Sequence, residues 1–222
     1  MTAAALDYEG LDEHDLAALA AKGDRQAFRA IMKRCNQRLF RVARAVMGSD
    51  DEAEDVLQAA YLSAFARMGQ FRGDSGLLTW LTAITLNEAR GRLRKKRPTL
   101  ELTMLDQSAD RIVPFPGAAP ADDPEAAAGR AQLRAILESA VDALPADFRV
   151  VFILRDVEGC SVEEAAAQLD IPQSTVKTRL FRARRRLRSA LERQFAAGLD
   201  GIFPFLGARC DRICDEVLRR LD

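Results

Sequence analysis

The sequence has 222 residues, 48% hydrophobic and 30% charged, which is enough for one large domain or two small ones. Only 13 glycines, two tyrosines and little polar–apolar alternation argue against an all-β protein and favour an all-α fold. No stretch approaches the roughly 20 apolar residues of a transmembrane helix, and the acidic N-terminus lacks the features of a signal peptide. We therefore expect a cytoplasmic protein without direct membrane insertion.

The formal net charge is zero, but the charges are segregated along the chain. Basic runs lie at 90–97 and 177–193, whereas acidic runs lie at 50–55 and 122–125. Separated blocks of this kind suggest a nucleic-acid-binding face beside a different, protein-binding face. The four cysteines are too few and too scattered for a disulfide scaffold.

The first part of the chain is predicted to form four helices, because apolar residues recur there at helical spacing. A short helix covers 15–21, and a longer second helix begins after Asp24 and ends at Gly48. Ser49 and Glu52 match a capping box at the start of the third helix.

Acidic residues crowd the first turns of the third helix. They are Asp50, Asp51, Glu52, Glu54 and Asp55. A favourable interaction with the helix dipole explains one or two acids at such a position. Five of them leave two interpretations open, helix capping and a patch that binds a protein partner.

A loop with three glycines at 69–76 precedes the fourth helix, which is predicted over 77–96 and is ended by Pro98. Phe71 and Trp80 lie close to basic residues, an arrangement that can stack on single-stranded bases. A tryptophan at such a position is more commonly a core residue, so both roles are considered for Trp80.

Three polar residues share one face of the fourth helix. Asn87, Arg90 and Arg94 are spaced by three and four residues, so their side chains lie on the same side. Asparagine suits adenine edges, and arginine suits guanine edges or phosphates. This face is a candidate nucleic-acid surface.

Residues 98–129 have the composition of a flexible linker, with prolines, glycines, alanines and a net acidic charge. A second helical unit is predicted from residue 130, with an apolar stripe that Pro145 terminates. Another helix then continues up to Gly159.

Residues 161–191 are predicted to form two helices with a tight break. Ser161 and Glu164 match a capping box, and Pro172 ends the first helix. Ser174 is the predicted N-cap of the second helix, whose apolar residues form one stripe. A short helix, a turn and a longer helix match the helix-turn-helix, whose second helix lies in the major groove of DNA.

The polar face of this second helix is strongly basic. It carries Lys177, Thr178, Arg179, Arg182, Arg184, Arg185, Arg186 and Arg188. A solvated surface helix is the alternative interpretation, but crowded arginines repel each other and are better explained by binding to a polyanion. Residues near the helix start, including Lys177, Thr178, Phe181 and Arg182, could reach base edges.

The tail at 193–222 contains a short amphipathic helix in which Cys210 and Cys214 lie one turn apart. A structural zinc site needs about four ligands, and His14 is the only histidine. We therefore expect a pair of buried thiols rather than a metal or redox site, and the sequence predicts no cofactor.

In combination, these features resemble the extracytoplasmic-function (ECF) type of the sigma-70 family, the sigma factors of bacterial RNA polymerase. Region 2 of that family is resembled by DEAEDVLQAAYLSAF followed by FRGDSGLLTWLTAITLNEARGRLRK. Region 4 is resembled by ALPADFRVVFILRDVEGCSVEEAAAQLDIPQSTVKTRLFRARRRL. The resemblance implies two small helical domains, at 1–97 and 130–192, joined by the flexible linker at 98–129 and followed by an extension at 193–222.

The resemblance also implies roles for individual residues. Binding to core polymerase is implied for Asp55 and Gln58. Recognition and melting of the −10 promoter element is implied for Phe71, Arg72, Asp74, Ser75, Trp80, Asn87, Arg90 and Arg94. Binding to the −35 element is implied for Ser174, Thr175, Lys177, Thr178, Arg179, Phe181, Arg182 and Arg185.

The implied function is that of a promoter-specificity subunit with no catalytic residues. Its partners would be promoter DNA, the clamp and flap regions of core RNA polymerase, and an anti-sigma factor. The chain departs from the usual family pattern at Leu78, at Thr85 and Leu86 before Asn87, and at Gly91. These departures bear on the preferred −10 sequence.

Two other classes of protein are considered. A free-standing helix-turn-helix regulator would bind an operator, but it should carry a sensor or phospho-acceptor domain upstream. A DNA-modifying enzyme would need a nucleophile and positioned acid–base groups. The first domain offers no such set, and His14 lies in an acidic N-terminal segment.

Overall fold

A computed structural model describes residues 7–100, 124–199 and 208–221. Within these ranges the chain forms α-helices, one 3-10 turn and one π-helical turn, and no β-strand. The predicted all-α fold is confirmed for the described part. The central stretch of the predicted linker, 101–123, lies outside the described residues.

The first unit is a bundle of four helices. They are α1 (Glu13–Ala21), α2 (Arg25–Met47), α3 (Asp50–Ala66) and α4 (Leu77–Leu100). Helix α1 begins two residues earlier than predicted, because the Asp12 carboxylate accepts a hydrogen bond from the Asp15 amide at 2.8 Å and caps the helix. The predicted limits of α2 are confirmed. Asp24 caps its start, and Gly48 at its end has a φ of 78°, which favours glycine.

Two predictions about helix ends in this unit are wrong. Ser49 precedes α3 without a side-chain cap, and Glu52 accepts from Lys96 of α4 rather than from the Ser49 amide. Helix α4 continues through Pro98 to Leu100. Pro98 has no amide hydrogen to donate to the Arg94 carbonyl, so this last turn has one helical hydrogen bond fewer.

The core of the first unit lies where α1, α2, α3 and α4 meet. Leu16, Ile31 and Leu39 are almost completely buried there. The Phe28 ring packs on its aromatic neighbours, with its centroid 4.9 Å from that of Phe65. This packing fixes the loop between α3 and α4 against a rigid base.

The second unit contains the helix-turn-helix. It consists of α5 (Pro124–Asp142), α6 (Ala146–Phe152), a π-helical turn (Ile153–Val157), α7 (Val162–Leu169) and α8 (Gln173–Leu199). Helix α5 begins six residues earlier than predicted, since proline is favoured in a first helical turn and the following alanines propagate a helix well. Helix α8 also extends seven residues beyond the predicted domain end at 192.

The apolar stripe predicted for α5 is only partly buried. Ala140 and Leu144 pack against Ala183 and Leu187 of α8, but Leu133 is exposed. Leu137 is exposed as well, because α5 meets α8 only over its C-terminal half.

The capping box of α7 is confirmed. The Ser161 hydroxyl accepts from the Glu164 amide at 3.0 Å, and the Glu164 carboxylate accepts from the Ser161 amide at 2.6 Å. The prediction that Ser174 caps α8 is wrong, because α8 begins at Gln173. The Pro172 carbonyl accepts the first helical hydrogen bonds, which places Ser174 in the first turn.

The two units pack against each other. Helix α2 contacts α6 and the π-helical turn, and α4 contacts α7. Val42 and Leu86 of the first unit belong to the same apolar cluster as Val151, Leu154 and Leu169 of the second. The two predicted domains therefore pack directly against each other through this shared apolar cluster.

The tail forms helix α9 (Ala208–Leu221), as predicted, but most of its described apolar side chains are exposed. Cys214 is exposed, so the expected pair of buried thiols is wrong at this position. The Cys210 side chain lies outside the described part. None of the described helices is both long and apolar enough to cross a membrane, and no three potential metal ligands cluster within the described ranges.

Candidate functional site

The eight residues predicted to bind the −35 element lie along one face of α8. Ser174, Lys177, Thr178, Phe181, Arg182 and Arg185 are exposed, and Thr175 and Arg179 are half-buried. The opposite face is buried through Val176, Leu180, Ala183 and Leu187. The apolar stripe thus holds α8 in place and turns the basic face outward. Phe181 is 67% exposed, which is unusual for a large apolar side chain and suits contact with a base or a methyl group.

Acidic residues of the second unit hold two arginines of α8. Arg179 donates to Asp147 of α6 at 2.9 Å, and Arg184 donates to both carboxylate oxygens of Asp156 at 2.8 and 2.6 Å. This hydrogen bond to Asp156 raises the pKa of Arg184 above its ordinary value. Sequence reasoning missed Asp147 and Asp156, since each lies about 30 residues from its partner and no local pattern connects them.

The predicted −10 surface on α4 is only partly open. Asn87 and Arg94 are exposed, whereas Arg90 donates a hydrogen bond to the Gln168 carbonyl of α7 at 3.2 Å. Burial lowers the pKa of Arg90, an effect that nearby Asp170 opposes. The structure therefore brings the second unit against one of the three residues predicted to bind the −10 element on this face.

Polar side chains of the loop before α4 lie beside two aromatic rings that pack against each other. The ring centroids of Phe71 and Trp80 are 5.5 Å apart, and both side chains are half-buried against the core of the first unit. Arg72, Asp74 and Ser75 are exposed beside them. Trp80 thus contributes to the edge of the core and also leaves part of its surface accessible.

Gly73 is required at the centre of this loop. Its φ is 78°, and a Cβ atom there would lie 2.8 Å from the His14 ring. A side chain at this position would therefore be strained, and the His14 ring would have to move. The packing role of His14 was not visible in the sequence, because it depends on the approach of α1 to a loop about 60 residues away.

The acidic patch of α3 is partly neutralised by basic residues of other helices. Asp55 and Gln58 are exposed, and Asp55 accepts from Arg92 of α4 at 2.9 Å. Asp50 accepts from Arg44 of α2 at 2.5 Å. The patch combines helix-terminal acids with side chains that remain accessible to a partner.

The buried thiol of the first unit has a packing role. Burial raises the pKa of Cys35 to about 11, which keeps it protonated and unreactive near neutral pH. Cys35 lies on the buried face of α2, as its position in the apolar stripe predicted.

Comparisons with known proteins agree with this arrangement. A family model for sigma-70 region 2 matches residues 31–99, and one for sigma-70 region 4 matches 134–187. The RNA polymerase sigma-H factor of Pseudomonas aeruginosa is 32% identical over 81% of this chain and 94% of its own. The ECF RNA polymerase sigma-E factor of Escherichia coli K12 is 31% identical over 79% of this chain and 92% of its own.

Two solved structures are also similar. The sigma factor RpoE in complex with the anti-sigma factor NepR, from Bartonella quintana, is 28% identical, covering 74% of this chain and 96% of its own, with a TM-score of 0.59. CnrH in complex with the cytosolic domain of CnrY is 26% identical, covering 81% of this chain and 97% of its own, with a TM-score of 0.53.

The two matched regions, in this order, define a promoter-specificity subunit of RNA polymerase, which is not an enzyme. The chain belongs to the ECF group of the sigma-70 family. The free-standing regulator is not favoured, because the first unit is a sigma region 2.

Proposed function

We propose that the work of this sigma factor is divided among three surfaces. The basic face of α8 binds the −35 element, α4 and the loop before it bind and help to melt the −10 element, and α3 docks on the polymerase clamp. The observation that carries this division is the outward face of α8, which stands opposite an apolar face that is almost completely buried.

The −35 contact is best supported near the start of α8. Lys177, Arg182 and Arg185 are exposed on this face and can neutralise phosphates or reach guanine edges. Thr178 uses its hydroxyl to donate to the Ser174 carbonyl at 2.9 Å, which leaves its methyl group for apolar contact with the groove.

The −10 contact combines Asn87 and Arg94 with the loop at 71–76. Extruding a base from the stack costs a few kcal/mol, which contacts in a shaped pocket must offset. The half-buried Phe71 and Trp80 rings supply an apolar base for such a pocket, and Asp74 and Ser75 supply polar groups at its rim.

The partners of the proposed function are core polymerase and an anti-sigma factor. Asp55 and Gln58 are exposed on α3 and are available to the clamp, while the second unit contacts the flap. An anti-sigma partner is proposed because the similar sigma factor RpoE was captured in complex with the anti-sigma factor NepR. Transcription in a bacterium places the protein in the cytoplasm.

Transcription by sigma-free core polymerase tests the proposal. Core polymerase with this protein should start transcripts at one shared pair of motifs on genomic DNA fragments. Arg182→Ala should weaken use of the −35 motif and preserve binding to core polymerase. Arg193→Ala, a matched control on an exposed position farther along α8, should leave both unchanged. Retention of DNA by the protein alone, without new transcripts, would contradict the proposal.

Asp55→Ala combined with Gln58→Ala tests the protein surface. This variant should lose binding to core polymerase and still bind a −35 fragment. Arg182→Ala should have the opposite effect on each of these two properties. If both variants lost polymerase binding equally, the assignment of polymerase binding to α3 and of −35 binding to α8 would be wrong.

A further inference from the structure

An open concavity of about 370 Å³ lies between the first turns of α8 and the start of α6. Five of its lining residues belong to the proposed −35 surface of α8, and α6 contributes Asp147 and Phe148. Among the described residues that line it, Asp147 carries the one carboxylate. A negative charge therefore lies within a surface that is otherwise suited to the phosphates of DNA.

The Asp147 carboxylate is the more exposed member of an ion pair. Arg179 donates from Nη2 to Asp147 Oδ2 at 2.9 Å. The exposed fraction is 68% for the Asp147 side chain and 27% for that of Arg179. An ion pair in contact with water contributes at most about 1 kcal/mol to stability. Stability of the fold therefore gives little reason for a carboxylate at this position.

A second ion pair on the same helix has the opposite exposure. Arg184 donates to the two carboxylate oxygens of Asp156 at 2.8 and 2.6 Å. The Asp156 side chain is 21% exposed, and that of Arg184 is 60% exposed. Neither residue lines the concavity. Helix α8 thus has one pair that presents its carboxylate to solvent at the proposed −35 surface and another pair that presents its arginine.

The carboxylate changes what Arg179 can contribute to DNA binding. An unpaired arginine neutralises any phosphate and releases a counterion, so it strengthens binding to every sequence. Beside Asp147, the local charge of the pair is close to zero, and contact with a phosphate releases less. The N–H groups that do not face Asp147 can still donate to the O6 and N7 atoms of guanine, because this contact depends on donor geometry.

We propose that Asp147 is a specificity-determining residue of the −35 surface. It neutralises Arg179 towards phosphates, so that Arg179 contributes more to binding of the matching −35 sequence than to binding of arbitrary DNA. Specificity is a difference between two affinities, and weakening the wrong complex increases it as effectively as strengthening the right one. The inference rests on the proposed assignment of α8 to the −35 element.

The role of Asp147 is tested with Asp147→Asn in the full chain. Asparagine keeps the length of the side chain and can still accept from Arg179, but it removes the negative charge. Fluorescence anisotropy measures the affinity for two duplexes. One carries the −35 motif identified in the transcription experiment, and the other has the same base composition with that motif scrambled. Circular dichroism should show an unchanged fold, because Asp147 is exposed.

The two affinities should change by different amounts. One additional phosphate contact strengthens binding by roughly tenfold at 0.1 M salt. Affinity of Asp147→Asn for the scrambled duplex should therefore rise about tenfold, against about threefold for the −35 duplex, so that discrimination falls about threefold. The plot of log affinity against log salt concentration for the scrambled duplex should also become steeper by about one. An unchanged ratio of the two affinities would overturn the proposal.

Two further variants show whether the effect depends on Arg179. Asp156→Asn is the matched control, because it makes the same change of charge beside Arg184 and outside the concavity. It should leave the ratio of affinities unchanged. Adding Arg179→Gln to Asp147→Asn should abolish the gain on the scrambled duplex, and a gain that persisted would overturn the proposal.

The native protein separates failure of this inference from failure of the proposed function. If the native protein bound both duplexes equally, the assignment of α8 to the −35 element would be wrong, and the role of Asp147 with it. If the native protein preferred the −35 duplex and Asp147→Asn kept the same preference, the −35 surface would stand and only the role of Asp147 would be refuted.

Discussion

The two faces proposed to bind DNA differ in what surrounds them. The face of α8 lies opposite the buried apolar stripe of the same helix, and Arg179 and Arg184 donate to Asp147 and Asp156 of the same unit. The face of α4 borders the second unit, and its central Arg90 is engaged by α7. A helix can therefore carry the right residues for DNA and still depend on the position of another domain to expose them.

We expect the largest effect from Arg149→Met, which tests how much the hydrogen bonds of Arg149 contribute to the free energy of unfolding. Arg149 is 8% exposed and donates to the Ala45 and Asp142 carbonyls at 2.7 and 3.0 Å. Its ion pair with Asp142, at 3.6 Å, contributes little, because that carboxylate is 44% exposed to water. Loss of the charged donors should lower the free energy of unfolding by about 3 kcal/mol. Urea denaturation followed by circular dichroism measures this, with Arg193→Met as control.

The next effect distinguishes the proposed −35 face of α8 from the proposed −10 face of α4. Arg182→Ala should weaken binding to a −35 duplex by about 2 kcal/mol, or roughly 30-fold, because the side chain is exposed and can contact DNA directly. Arg90→Ala should leave the same binding unchanged and impair only the opening of a complete promoter. Fluorescence anisotropy and permanganate footprinting measure the two steps. If Arg182→Ala and Arg90→Ala weakened −35 binding equally, the two faces could not be assigned to different promoter elements.

A third prediction uses Cys160 as a reporter of the interface. This thiol is half-buried in the cluster that joins the units, and its pKa is raised mainly by burial and further by Glu164. Because the thiolate is the reactive form, alkylation should be slow at pH 8 and accelerate as the pH rises. In a Cys210→Ser, Cys214→Ser background, Arg38→Glu combined with Arg41→Glu, which removes both ion pairs of α2 with Glu158, should make Cys160 react several-fold faster. Cys35 should stay unreactive in both.

The smallest effect is expected for Asp147→Asn, which releases Arg179 on the open face. An exposed ion pair contributes at most about 1 kcal/mol, and the carboxylate lies where DNA phosphates would approach. Affinity for a −35 duplex should therefore rise about threefold, as measured by anisotropy at fixed salt. A decrease would mean that Asp147 positions Arg179 for a base contact.

Helix starts show why sequence reasoning succeeds at some positions and fails at others. The capping box of Ser161 and Glu164 formed as predicted, because both of its hydrogen bonds join residues three apart. The similar pattern at Ser49 and Glu52 did not form: the Ser49 hydroxyl makes no cap bond, and the Glu52 carboxylate pairs with Lys96 of α4 instead. A local pattern predicts a helix cap only where no charged residue from a distant part of the chain competes for the capping side chain.

The sequence by itself determined the helical fold, the helix-turn-helix and the outward basic face of α8. These depend on the periodicity of apolar residues, on turn residues and on local caps, all of which act within a few turns of the chain. The resemblance to sigma factors was likewise carried by contiguous motifs.

Only the tertiary structure decided which charged residues are exposed and which are engaged in contacts with distant parts of the chain. Arg38 and Arg41 belong to the polar side of α2 in the sequence, but they converge on Glu158 about 120 residues away. Arg90 and Asn87 share a helical face, but α7 covers only Arg90. Hydrogen bonds and ion pairs between distant segments depend on how the helices pack, which is fixed by the shape of the shared apolar cluster rather than by any local pattern.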